Sequence, residues 1–134
     1  MTDQSVTRWW WIRHAPVVEA HLGRLSGQAN VDADISDRKS FMALAPDLPR
    51  EAMWVLSTLK RTQQTAQALC RAGAQSSKAH VEKSFDEQAF GDWTNKSWDE
   101  VGSGAEAQEF WQDPAYVHPP GNGAESFGDV CRRV

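Results

Sequence analysis

A chain of 134 residues with 40% hydrophobic and 24% charged residues is sized and composed for one soluble globular domain with a real core. Its formal net charge of −4 argues against a nucleic-acid or membrane-surface protein, which normally carries a basic face, but leaves room for a local anion site. The two cysteines, Cys70 and Cys131, lack metal-like spacing, the first apolar run is too short for a signal peptide and no stretch reaches transmembrane length, so a reducing cytoplasm is the expected setting.

Residues 8–16 read RWWWIRHAP. The unbroken apolar run from Trp9 to Ile12 predicts a strand buried on both faces, with its three tryptophans in the core. Pro16 stops the strand and biases Ala15 away from helix. Arg13 and His14 therefore fall at the strand's carboxyl end, the edge where open α/β sheets bind ligands. Alone, the stretch reads as a core strand that ends in a basic pair.

Residues 17–35 are rich in small residues, with Gly23, Gly27, Asn30 and aspartates among them, and predict a long, functional kind of loop. Capping residues around Asp37 predict a helix over 37–44, closed by Pro46 and Pro49. Residues 52–57 predict a second buried strand. A helix follows over 60–72, with Ala66, Leu69 and Cys70 on its apolar side and Gly73 as C-cap. Residues 80–84 predict a third, short strand, and 85–98 an aromatic-rich ordered loop broken at Gly91. Residues 100–113 read as partly helical, with Phe110 and Trp111 inward and Pro114 as stop. The Pro-Gly segment 118–123 predicts a rigid turn, and Glu125-Ser126 opens a last helix still running at Val134. This is an α/β pattern with too few strands for a parallel sheet to cover itself, so the chain is expected to stop short of a whole domain.

Four stretches could carry chemistry: Arg13-His14, the 57–62 segment between the second strand and its helix, Glu87, and the turn leading into Glu125-Ser126. The first two both lie at strand carboxyl ends and can converge on one edge. Two guanidiniums there, with the free N–H groups of a helix start, suit a phosphate. An imidazole beside them can be a nucleophile if one nitrogen stays neutral and the other is held by a hydrogen bond. A carboxyl group such as Glu87 could then protonate the leaving oxygen. Lys60 reads better as a solvated side chain than as a phosphate contact. Trp93 and Trp98 read equally as loop anchors or as a substrate rim.

Taken together, these stretches resemble the histidine phosphatase superfamily, also called phosphoglycerate mutase-like. RHAP at 13–16 is similar to its Arg-His-Gly signature, with Ala15 in place of glycine. STLKRTQQTA at 57–66 resembles its Ser-x-Leu-x-Arg-Thr-x-Gln-Thr-Ala block, and FDEQAFGDW at 85–93 its Glu-x-x-Phe-Gly-x-Trp block. PPGNGAES at 119–126 resembles its Pro-Pro-Gly-Gly-Glu-Ser turn with inserted residues. Four blocks in order carry far more weight than one. The resemblance implies a three-layer α/β/α fold with a mainly parallel sheet, incomplete at the C-terminus. It implies His14 as a nucleophile forming phosphohistidine, Arg13 and Arg61 holding phosphoryl oxygens, Glu87 as general acid, and no need for a metal or other cofactor. Ser26 and Gly27 fall where relatives place a substrate-binding pair, although a plain loop glycine reads as well there; Ala20 replaces a frequent asparagine.

The family's second active-site histidine belongs to a strand after the last helix here, and His21, His80 and His118 are not expected to replace it. The blocks are most similar to small bacterial phosphatases, such as α-ribazole phosphatase, acting on a phosphorylated small molecule. The competing readings are a degenerate or truncated member that binds a phosphorylated ligand or a partner without turnover, and a mutase-type phosphotransferase. An uncovered sheet region would also invite copies of the chain to associate.

Overall fold

A computed structural model describes residues 6–76 and 78–134. The chain is mixed α/β. Its order is α1 (Arg38–Leu44), β1 (Met53–Leu56), α2 (Lys60–Arg71), β2 (Lys78–Val81), α3 (Trp98–Val101), α4 (Ala105–Gln112) and α5 (Phe127–Arg133), with short 3-10 turns between. β1 and β2 run parallel, with Met53 opposite Lys78 and Leu56 opposite Val81. Parallel neighbours need a crossover, and α2 supplies it.

Local chemistry sets the helix ends. Asp37 caps α1, its carboxylate accepting from the Ser40 backbone N–H at 3.1 Å. α2 stops in a paired C-terminal motif: Ala74 N–H bonds the Leu69 carbonyl and Gly73 N–H the Cys70 carbonyl, each at 3.0 Å. Gly73 sits at φ +107°, where a side chain would strain the backbone. α3 and α5 each open with a reciprocal capping box, Ser97 with Glu100 and Ser126 with Asp129.

Two small cores form. Leu69 and Ala74 pack with Ala45, Leu48 and Trp54, holding α2 against α1 and β1. Leu25, Trp93, Ala107 and Phe110 form the other, with Trp93 edge-on to Phe110 at 5.3 Å between centroids. Trp93 is thus a loop anchor. Among the described residues, no helix is long and apolar enough to cross a membrane.

Five local expectations need correction. The strand expected over 52–57 is β1, but it is not buried: Met53 is exposed and Trp54, Val55 and Leu56 are only partly buried, since β2 is its one sheet neighbour among the described residues. Residues 9–12 form no strand, and Trp9, Trp10, Trp11 and Ile12 are 64%, 57%, 74% and 42% exposed rather than in the core. An apolar run is buried only when something packs on it. Here β1 bonds to β2 alone among the described residues, and neither core includes the run. Trp9 instead stacks on Trp11 at 5.9 Å, and Trp11 approaches Phe85 at 6.4 Å. The second strand of the sheet covers 78–81 instead of 80–84, because Glu82 accepts from Ser84 N–H at 2.9 Å and turns the chain into a 3-10 turn. Trp111 is exposed, since Ala107 and Phe110 already define the inward stripe of α4 and Trp111 lies about 100° round from Phe110. Cys70 stands in the same relation to Leu69 on α2, so it too is exposed; Cys70 and Cys131 are free thiols.

Candidate active site

The loop after residue 14 is suspended from α2. Thr65 Oγ1 accepts from the Ala15 backbone N–H at 2.9 Å and donates to the Arg61 carbonyl at 2.8 Å. The 17–35 loop folds back on itself through an antiparallel bridge between Val17 and Ala33. Gln64 then fastens it to the same helix, accepting from Ala33 N–H and donating to Asp32, both at 2.7 Å. Asn30 accepts from the Lys60 N–H at 2.9 Å and so supplies a cap that α2 lacks locally. Lys60 itself pairs with Asp32 at 2.6 Å, out in solvent.

Arg61, on the first turn of α2, is 2% exposed. Each of its nitrogens has a partner. Nε donates to His14 Nε2 at 3.2 Å, Nη1 to the Ala29 carbonyl at 3.0 Å, and Nη2 to the Gly27 carbonyl at 2.7 Å. The acceptor at Gly27 depends on glycine: its φ is +47°, and a Cβ there would stand 3.1 Å from the Gln88 carbonyl oxygen and from Phe90 Cδ2. On the other side of His14, Nδ1 lies 2.6 Å from the Ala15 carbonyl. An arginine N–H can only donate, so Nε2 is the accepting nitrogen and Nδ1 carries the proton of the neutral ring.

A second clamp holds the loop that bears Glu87. The buried Asp86 carboxylate accepts from Thr58 N–H at 2.7 Å and from Thr58 Oγ1 at 2.7 Å and 2.9 Å. Thr58 follows β1, so the carboxyl end of that strand and the Glu87 loop are locked together.

These attachments bring Arg13, His14, Ser26, Gly27, Arg61 and Glu87 to the wall of one cleft of about 710 Å³. All six residues singled out by sequence therefore meet. Arg13 is exposed, and its guanidinium has no partner among the described residues. Trp98 and Phe90 also line the cleft, which puts Trp98 on the rim while Trp93 is core. Of the other histidines, His21 lines the cleft, His80 lies on the exposed β2, and His118 bonds Asp129 at 2.6 Å.

Burial lowers the pKa of His14, and the positive charges of Arg61 and Arg13 add to this; the Ala15 carbonyl and Glu87 oppose it. The ring therefore stays neutral at pH values where a free histidine is partly charged. Burial also lowers Arg61, against the pull of Glu87 and Asp86. Among the described residues no group of three or more His, Cys, Asp or Glu side chains is placed to hold a metal ion.

Sequence reasoning missed Thr65, Asp86, Gln64 and Asn30. Thr65 had a signal, since it lies one turn beyond Arg61 on the same helix face. Asp86 had one too, as the immediate neighbour of Glu87. Gln64 and Asn30 act on a loop whose path no local pattern announces.

The profile of the histidine phosphatase superfamily (branch 1) matches residues 9–134. The chain belongs to the histidine phosphatase superfamily. Solved structures of similar architecture include the α-ribazole phosphatase of Shigella flexneri, at 22% identity and a TM-score of 0.71, aligned over 91% of this chain and 60% of that one. A mycobacterial glucosyl-3-phosphoglycerate phosphatase aligns at 25% identity and a TM-score of 0.69, over 90% of this chain and 56% of its own. A Thermus thermophilus protein aligns at 23% identity and a TM-score of 0.67, over 91% of this chain and 65% of its own. The chain thus spans between about half and two thirds of the length of these structures. A comparison with curated proteins gives no match. This likeness accounts for the mixed α/β architecture with its parallel strand pair.

Proposed function

We propose that this histidine phosphatase superfamily chain hydrolyses phosphate monoesters through a phosphohistidine on His14. The observation that carries the reading is the state of the His14 ring. Its Nδ1–H is tied to the Ala15 carbonyl, and its neutral Nε2 presents a lone pair in a cleft with two guanidiniums. In the first step the Nε2 lone pair attacks phosphorus, the P–N bond forms, and the ester P–O bond breaks. Glu87, as the acid, gives its proton to the departing alkoxide. Arg13 and Arg61 neutralise the charge that builds on the phosphoryl oxygens. In the second step water attacks phosphorus and the P–N bond breaks. Glu87 accepts the water's proton, and inorganic phosphate leaves. The scheme consumes one water and needs no redox partner or metal. Ser26 and Gly27 stand on the same wall and are proposed to contact the substrate.

Incubation with p-nitrophenyl phosphate tests this. The expected result is released phosphate together with an acid-labile phosphohistidine, both abolished in His14→Ala. Turnover surviving that substitution overturns the scheme.

One observation favours a second reading, binding of a phosphorylated ligand without turnover. Arg61 already spends Nε–H on the lone pair that must attack, so a bound phosphate has to displace that bond. Tight phosphate binding with neither labelling nor release would select it.

A further inference from the structure

The cleft carries Glu87 on a loop, and loops do not hold a carboxyl group in place unaided. The Glu87 carboxylate itself accepts only from the adjacent Gln88 N–H, at 3.0 Å, among the described residues. Its place is therefore set by its backbone. The Glu87 carbonyl accepts from Arg133 Nη2 at 3.1 Å and from Gln28 Nε2 at 3.0 Å. Arg133 Nη1 reaches the Ser84 carbonyl at 2.6 Å. Arg133, the last residue of α5, is in turn gripped by a fork from Glu125, Nε to Oε1 at 2.7 Å and Nη2 to Oε2 at 3.0 Å. The Glu125 Oε2 also accepts from Ala89 N–H at 2.9 Å, and its backbone bonds Ala89 and Gln88. The Arg133 and Glu125 side chains are 22% and 19% exposed, far from an ordinary surface pair.

We propose that the Glu125–Arg133 pair is the positioning element for Glu87: it holds residues 84–89 so that the Glu87 carboxyl meets the leaving oxygen. The Pro-Gly turn and α5 then serve the reaction although neither lines the cleft. This inference rests on the reading of Glu87 as the acid.

The test uses leaving groups of different need. p-Nitrophenolate departs without a proton, whereas an alkoxide from glycerol phosphate requires one. Arg133→Lys keeps the charge but cannot fork Glu125 while bonding two carbonyls, and Glu125→Gln keeps the shape but loses the ion pair. Each is expected to lower the single-turnover rate of phosphohistidine formation from glycerol phosphate by about tenfold or more, while that from p-nitrophenyl phosphate stays within about threefold, since acid catalysis contributes on the order of 10²–10⁴ where it is needed and the shared hydrolysis step does not enter this rate. Equal losses on both substrates, or none on either, overturn the proposal.

A second arm needs no turnover. Glu87 raises the His14 pKa, so Arg133→Lys should lower the His14 titration midpoint seen by NMR, as Glu87→Gln should, and the two effects should not add. An unchanged midpoint in Arg133→Lys overturns the positioning role even if the protein proves inactive. Inactivity of the unsubstituted protein on both esters would instead count against the proposed reaction.

Discussion

Arg61 Nε stands 3.2 Å from His14 Nε2, and the same guanidinium holds the carbonyls of Gly27 and Ala29. One buried side chain thus sets the imidazole and the loop opposite it together. Lysine has a single nitrogen and cannot reach the three acceptors in these directions. Arg61→Lys is expected to cost roughly 1–3 kcal/mol of stability through buried acceptors left unpaired. Turnover should fall by about 100-fold or more, the scale of losing a charge-stabilising donor. Urea melts and steady-state assays read the two effects separately.

The His14 titration gives a pH prediction with a definite sign. Its folded pKa lies below the free value of 6.5, so between the two the unfolded chain binds more protons than the folded one. Stability then rises with pH through that window and is lost on acidification through it. His14→Ala should flatten this dependence, which denaturant melts between about pH 5 and 8 would reveal, the range in which histidine titrates. The acid limb of phosphohistidine formation should likewise fall below pH 6.5.

Asp86 joins Thr58 to the Glu87 loop by charge-assisted bonds to a buried carboxylate. Asp86→Ala leaves the Thr58 N–H without that acceptor and is expected to destabilise by about 1–3 kcal/mol. Hydrogen exchange should quicken at Thr58 well before it does in the body of α2.

Gly27 combines φ +47° with a crowded Cβ direction. Gly27→Ala should cost about 1–2 kcal/mol from the left-handed backbone alone. It should also shift the Gly27 carbonyl from Arg61, so that the His14 NMR signals move through the guanidinium that bonds both.

The tryptophans divide by environment. Trp9, Trp10 and Trp11 should be quenched freely by acrylamide, and replacing one by serine should alter stability by no more than about 0.5 kcal/mol. Trp93 should be protected, and Trp93→Ala should cost about 3–5 kcal/mol. Sedimentation over a concentration series tests whether copies associate through the exposed run; a monomer at every concentration rules that out.

The elements legible in sequence were those whose signals are local. Asp37, Gly73 and Ser126 marked helix ends, and each does so through a bond within a few residues. Arg13, His14, Arg61 and Glu87 were singled out from short sequence blocks, Ser26 and Gly27 from their place in the loop, and all six line one cleft. What local pattern could not supply was partnership. Residues 9–12 have the composition of a buried strand, yet burial depends on neighbours far along the chain. The same holds for Arg133, which reads as an ordinary charge at a helix end until its partners at 84, 87 and 125 are seen.

The Thr65 hydroxyl links the Ala15 N–H to the Arg61 carbonyl, so it ties the loop that follows His14 to the residue that faces the His14 ring. If α2 slides or rotates as a rod, both ends of the His14–Arg61 contact ride with it, and their separation changes little. The His14–Arg61 contact is therefore fastened to one helix, independently of how the preceding tryptophan segment is docked.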